Sequence, residues 1–144
     1  MKEWEGVLEK LNKESETSIV LELLGSLKPF IREEEVKEKV LDFLLNFGDR
    51  LVRIKSTEIL EELESADSKV IEALVIALLN DPDAFVRGFS AKVLGKIGDI
   101  RAIEALKKAR EDEDGFVRHY AEEALRILEM KTRLLSVIQR AKGG

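Results

Sequence analysis

The chain has 144 residues, 44% of them hydrophobic and 37% charged, which is enough for one domain with a buried core. One histidine and no cysteine exclude disulfide bonds and any metal site built from cysteines or from several histidines. The net charge is −5, but residues 1–84 hold 11 basic against 20 acidic residues and residues 85–144 hold 13 against 9, so we expect an acidic and a basic end.

The composition also bears on where the protein works. No run of about 18 apolar residues is present, and Lys2, Glu3 and Glu5 precede the first apolar residues, so we expect no membrane association, no signal peptide and a cytoplasmic location. Charged residues are abundant, while Asn and Gln are scarce and Cys is absent. This combination is typical of proteins from hot environments, and we predict a thermophilic archaeon or bacterium as the source.

Apolar spacing and turn residues predict helices throughout, because no segment alternates with a period of two. The predicted helices span about 3–13, 16–27, 31–47, 50–64, 68–80, 84–97, 100–111 and 115–140. Pro29 ends the first helix pair. Asp49, Asp83 and Asp114 are predicted to cap the N-termini of second helices, and Asp99 that of a first helix.

The sequence repeats itself. Ile71-Glu72-Ala73-Leu74 recurs at 103–106, and Phe85-Val86-Arg87 recurs at 116–118. One leucine marks each copy, and the successive spacings are 36, 34 and 31 residues for Leu24, Leu60, Leu94 and Leu125. A period of this length indicates a helical solenoid.

We therefore predict a single all-α domain over residues 1–144. It consists of about four stacked helix pairs, and its long last helix serves as a C-terminal cap through Leu134, Leu135 and Ile138. The predicted repeats span about 3–28, 31–64, 68–97 and 100–140.

The stretch from Asp83 to Asp99, together with residues 101–106, closely resembles the HEAT-like repeat of the phycobilisome-lyase type. The resemblance is strong over 69–129, weaker over 31–64 and faint over 1–30. It implies a right-handed α–α superhelix, the HEAT-like solenoid. Most proteins with this repeat resemble binding scaffolds, and only a subset handles a bilin pigment.

The resemblance also implies that the second helix of each pair lines the concave face. The two positions after Val-Arg then point outward from it, and Phe89 and Tyr120 would lie side by side. In the alternative interpretation both rings pack as the edge of the core, and finding both buried would rule out a groove. The predicted partner-binding residues are Ile54, Lys55, Gly88, Phe89, Lys92, His119, Tyr120 and Glu123.

Two recurrent residue types have structural interpretations. Arg53, Arg87 and Arg118 could bind anions, but we favour a structural ladder of arginine–aspartate pairs. The aspartates expected as their partners lie four residues earlier: Asp49, Asp83 and Asp114. Gly95 is expected to permit close approach of the next repeat.

We predict a protein-binding scaffold or adaptor that uses its concave face, with no catalytic residue, cofactor or metal. Two alternatives stay open: binding of a nucleic-acid backbone through the basic region 85–110, and a lyase-like small-ligand scaffold. The acidic net charge argues against nucleic acid. The expected partner is another protein, and the expected state is a monomer or a weak head-to-tail homo-oligomer that joins the acidic and basic ends.

Overall fold

The computed structural model describes residues 2–143, and in that range the chain is helical with no β-strand. Its α-helices are α1 Glu3–Lys13, α2 Thr17–Ser26, α3 Glu34–Asn46, α4 Arg50–Leu60, α5 Ser68–Asn80, α6 Ala84–Ile97, α7 Ile103–Ala109 and α8 Gly115–Gly143. Two short 3-10 helices, Lys28–Phe30 and Ile100–Ala102, precede α3 and α7. The prediction of an all-α solenoid with a long C-terminal helix is confirmed.

Two helices begin later than predicted. The segment predicted to be helical from residue 31 starts at Glu34, after the 3-10 turn that contains Pro29. Pro29 has no backbone N–H to donate to an extended α2, which ends at Ser26, and the chain makes this short turn between the two helices. The helix predicted from residue 100 likewise opens as a 3-10 turn and becomes α-helical at Ile103.

Aspartates start the helices as expected. The side chain of Asp49 accepts a hydrogen bond from the amide of Leu51, and Asp83 accepts from the amides of two residues of α6. Asp114 accepts from the amide of Phe116, and Asp99 caps the 3-10 turn before α7. These side chains satisfy amides that have no partner inside the helix.

The helices pack as consecutive antiparallel pairs around one continuous core that runs from Trp4 to Leu128. Contacts among α2, α4, α6 and α8 are more extensive than those among α1, α3, α5 and α7. The stack therefore curves towards the second helix of each pair, and we call the surface formed by α2, α4, α6 and α8 the inner face.

Gly95 allows a close contact between α6 and α8, as predicted. A Cβ atom at Gly95 would lie 2.8 Å from the Cβ and 2.9 Å from the Cα of Ala124. Because one of these atoms belongs to the backbone of α8, only glycine lets α6 and α8 approach so closely.

The long helix α8 covers the core only along its first half. Its buried residues end at Leu128, and every described residue from 129 onward is exposed. The expectation that Leu134, Leu135 and Ile138 extend the cap is wrong, because these side chains project beyond the last helix that they could contact.

Candidate functional site

Four aromatic rings from α6 and α8 meet on the inner face. The centroid of Phe116 lies 5.0 Å from those of Phe85 and Tyr120 and 5.2 Å from that of Phe89. The centroids of Phe89 and Tyr120 are 6.3 Å apart. Within each helix the two rings are four residues apart and so share one side. We call Phe85, Phe89, Phe116 and Tyr120 the aromatic patch.

The aromatic patch is partly open to solvent. Phe85 is 48% exposed, while Phe89, Phe116 and Tyr120 are half-buried. The two rings predicted to be neighbours, Phe89 and Tyr120, are adjacent. Neither is fully buried, although Tyr120 packs against the edge of the core. Three of the contacts are edge-to-face, the arrangement that aromatic quadrupoles favour. The rings hold one another in place while their outer surfaces remain available.

Gly88 lies against the ring of Phe116 in the aromatic patch. A Cβ atom there would lie 2.4 Å from two carbons of the Phe116 ring, and Gly88 is buried. The prediction that Gly88 points outward to contact a partner is therefore wrong. Its role is to leave room for a ring from the next repeat.

Sequence reasoning missed two members of the patch, Phe85 and Phe116. Each is the first residue of a repeated Phe-Val-Arg triad, so the repeat itself contained the signal. The resemblance to HEAT-like repeats indicates only the two positions after Val-Arg as outward-facing, and these phenylalanines precede the valine.

The remaining predicted polar residues surround the patch, and their basic side chains are paired with acidic ones. Lys92 is exposed, and its Nζ lies 3.5 Å from a carboxylate oxygen of Glu61. The exposed His119 lies 3.6 Å from Glu123 through its Nε2. On α4, Lys55 is half-buried and its Nζ lies 3.1 Å from Glu58. These pairs give the patch a polar rim of mixed sign.

A small cleft of about 190 Å³ separates α4 from α6 beside the patch. Its lining is Ile54, Thr57, Glu58, Glu61, Phe89, Lys92 and Val93. The pKa of Glu58 is lowered from its ordinary value: burial raises it, but hydrogen bonds and charges from Lys55 and Lys28 outweigh burial. Pockets for small organic ligands span about 300–1,000 Å³, so this cleft suits a single side chain of a partner.

The repeated arginines join neighbouring repeats. The guanidinium of Arg53 donates to both carboxylate oxygens of Asp81, at 2.9 and 3.2 Å, and to the carbonyls of Phe47 and Gly48. Arg87 does the same in the next repeat with Asp112. The structural role is therefore observed for Arg53 and Arg87. Each of them links the turn before its own helix to the corresponding turn of the following repeat.

The predicted partners of these arginines were wrong. Asp49 and Asp83 use their side chains to cap their own helices, so the carboxylate comes from a residue 28 positions after Arg53 and 25 after Arg87. Arg118 donates to the carbonyl of Asp112, the bond to its own turn that Arg53 makes with the carbonyl of Phe47.

Ion pairs neutralise much of the basic region 85–110. Five of its basic side chains are paired with acids: Arg87, Lys92, Lys96, Arg101 and Lys107. Because the acids lie within 4.0 Å, less positive charge faces solvent than the sequence alone suggests. This arrangement weakens the case for a surface that binds phosphates.

Comparison with known proteins agrees with the fold. The family model for HEAT repeats matches residues 37–126, which make up more than half of the chain and include all four residues of the aromatic patch. No curated protein matches the chain. None of the helices between residues 2 and 143 has both the length and the hydrophobicity needed to cross a bilayer.

Proposed function

Because the chain belongs to the HEAT repeat family, we propose that it is a non-enzymatic scaffold or adaptor that binds another protein through its inner face. We place this activity in the cytoplasm. Stacked helical repeats present extended concave surfaces that are suited to such binding. The observation that carries the proposal is the aromatic patch, which spans two repeats of that face.

The aromatic patch has the properties of a binding hot spot. Aromatic side chains are enriched where binding energy concentrates, because they bury a large area while few torsion angles have to be fixed. Here the rings already fix one another, so binding costs little additional conformational entropy. The paired charges around them provide the polar rim that typically surrounds an apolar centre.

The geometry also indicates how a partner would sit. An apolar segment would cover Phe85 and the outer surfaces of the other three rings. One of its side chains would enter the cleft between α4 and α6, next to Phe89. Lys92 and Glu61 line this cleft, and their ion pair would contribute to the orientation of that side chain more than to affinity.

Photo-cross-linking tests this proposal directly. Benzoylphenylalanine would be placed at position 85 and, as a matched control, at position 76 on α5. The two natural side chains, Phe85 and Ile76, are equally exposed at 48% but lie on different faces of the stack. We expect a specific cross-linked protein from the source cells with the probe at 85 and none with the probe at 76.

The captured partner then allows a quantitative check. Phe85→Ala should weaken its binding about tenfold or more, the size of effect typical of a hot-spot residue. Ile76→Ala should leave the affinity unchanged. Equal cross-linking at both positions, or equal affinities of the two variants, would reject the inner face as the binding surface.

The alternatives have less support. A lyase-like scaffold of the phycobilisome-lyase type needs an enclosed pigment pocket. The cleft at the aromatic patch measures about 190 Å³, and three larger depressions, of about 540, 480 and 520 Å³, are open to solvent. Nucleic-acid binding through 85–110 would use lysines and arginines that are largely paired with acids. A gel shift that appears at low salt and disappears as salt is raised would favour that second alternative over ours.

A further inference from the structure

Helix α8 carries an apolar strip beyond the end of the core. Ile127, Met130, Leu134, Val137 and Ala141 follow one another at alternating intervals of three and four residues. The four larger side chains are between 50% and 64% exposed. We call these five residues the C-terminal seam.

The C-terminal seam continues the aromatic patch. Extended backward, the same intervals reach Glu123, Tyr120 and Phe116. The rings and the seam therefore lie on one side of α8, interrupted only by Glu123. A strip from residue 116 to residue 141 is roughly 37 Å long at the ordinary helical rise of about 1.5 Å per residue.

The spacing indicates what kind of surface this is. Apolar residues that repeat every 3.5 residues on average keep the same side of a helix turned towards a partner helix over several turns. An isolated exposed apolar residue needs no explanation, but a contiguous row of this length does.

Charge decides between possible partners. Arg126, Arg133 and Arg140 each immediately precede a seam residue and line one flank of it, and Lys131 lies on the other flank. Residues 126–142 contain five basic residues and a single acid, Glu129. Two copies paired through this seam would bring arginine next to arginine in the antiparallel arrangement, and Arg126 next to Lys131 in the parallel one. Like charges at these flanking positions oppose pairing.

We infer that the C-terminal seam docks an amphipathic helix of another protein, with apolar residues at the same spacing and Asp or Glu along the flank that faces Arg126, Arg133 and Arg140. This inference rests on the proposed protein-binding function and specifies the kind of partner. The acidic side chains of the partner would meet the arginines, and its apolar side chains would cover the seam.

A lipid surface is the other macromolecular candidate, since basic amphipathic helices often lie on anionic membranes. Two observations favour a helix. The strip starts in the aromatic patch on the concave side of the stack, where a flat bilayer cannot follow it. Residues 1–84, which form most of the remaining body, carry 11 basic against 20 acidic residues, so anionic lipid would repel them.

Designed peptides provide the probe. A labelled helical peptide of about three heptads carries leucine at the two seam-facing positions and glutamate at the flanking ones, and its twin carries lysine instead of glutamate. In anisotropy titrations against the full chain at low salt, the acidic peptide should bind about tenfold or more tightly than the basic one. The triple variant R126E/R133E/R140E should invert this preference.

Two single variants test the apolar part. Leu134→Glu should weaken the acidic peptide by about tenfold or more, because the charge would be buried against leucine. Ile76→Glu, an exposed residue elsewhere, should leave binding unchanged. All substituted side chains are exposed, so unaltered circular dichroism and melting are expected in every variant.

Several results would overturn the inference. Equal binding of both peptides, or a triple variant with unchanged preference, would show that the flanking arginines recognise nothing. A dimer of the protein alone that Leu134→Glu dissociates would assign the seam to a second copy. Binding to phosphatidylglycerol vesicles that Leu134→Glu abolishes, without binding of the acidic peptide, would assign it to lipid.

The two proposals can fail separately. The preference for the acidic peptide, and its inversion in the triple variant, could persist in Phe85→Ala while no partner is cross-linked at position 85. That result would support the seam and reject the aromatic patch as the binding surface. A partner cross-linked at position 85, combined with no peptide binding, would keep the proposed function and reject the seam.

Discussion

The repeated arginines show how one residue can connect two repeats. Arg53 is 8% exposed, and its four hydrogen bonds reach Asp81 in the next turn as well as two carbonyls of its own turn. The guanidinium fork matches a carboxylate at two points, which lysine cannot do. The register between neighbouring repeats is therefore fixed by polar contacts as well as by the apolar core.

Replacing Arg53 should be costly. Arg53→Ala would leave the carboxylate of Asp81, which is 6% exposed, without its charged partner and the carbonyls of Phe47 and Gly48 without the guanidinium donor. We expect the free energy of unfolding to fall by about 3–5 kcal/mol, the cost of breaking one side of a buried pair. Urea denaturation, monitored by circular dichroism, measures this free energy of unfolding.

Arg50 provides the control for that experiment. It pairs with Asp83 at 3.1 Å, but its side chain is 51% exposed. Arg50→Ala should therefore cost under about 1 kcal/mol, as exposed pairs generally do. Similar losses in the two variants would show that burial does not decide the strength of these pairs.

At the scale of helices, close packing of α6 on α8 determines how the last repeats are joined. Gly95 lies against the backbone of Ala124, and Gly88 lies under the ring of Phe116. Both glycines belong to one helix and face the same neighbour. The position of α8, and with it the aromatic patch, depends on these two missing side chains.

Two glycine substitutions should have opposite effects on stability. Gly95→Ala would push α6 away from α8, and we expect a loss of about 1–3 kcal/mol in the free energy of unfolding, as for other overpacked sites. Gly6→Ala in α1 meets nothing within 4 Å and should gain about 0.5–1 kcal/mol through its higher helix propensity. The denaturant midpoints of Gly95→Ala and Gly6→Ala, each compared with that of the unsubstituted chain, test this prediction. A stabilising Gly95→Ala would contradict the close approach of α6 and α8.

At the scale of the whole molecule, ionised carboxylates recur at the turns along the stack. A backbone hydrogen bond from Val70 is the main cause that lowers the pKa of Asp67, and a hydrogen bond from Arg101 lowers that of Asp99. Burial raises the pKa of Asp112, but hydrogen bonds from Arg87 and from a backbone amide outweigh it, and the net shift is downward. The turns are thus built around charged, not neutral, aspartates.

These shifts predict how stability depends on pH. A carboxyl whose pKa is lower in the folded state than its ordinary 3.8 stabilises the fold above that value and loses this contribution as the pH falls through the folded pKa. Melting temperatures should therefore change little between about pH 7 and 5 and fall below about pH 4.

Asp112→Asn isolates one contribution to this profile. It should lower the melting temperature at neutral pH, because Arg87 loses its charged partner, and it should make the fall in acid shallower. Glu104→Gln, at an 83% exposed side chain, controls for the loss of one negative charge. An unchanged acid profile in Asp112→Asn would show that this pair does not account for acid unfolding.

The helices, their capping aspartates and the repeat were predictable from the sequence, because these features depend on residues close together in the chain. Leu24, Leu60, Leu94 and Leu125 mark the period, and each is buried as a repeated core position should be. The adjacency of Phe89 and Tyr120 followed from the same periodicity, since equivalent positions of stacked repeats become neighbours.

Contacts between side chains of different repeats, and the side chains that stay uncovered, became evident only in the folded molecule. Asp81 was not identifiable as the partner of Arg53, because the competing Asp49 is nearer in sequence and only the folded turn shows that its carboxylate is already used as a cap. The exposure of Leu134 could not be foreseen either. An apolar helical stripe has the same spacing whether a neighbouring helix covers it or has already ended, and that depends on where the other helices stop in space.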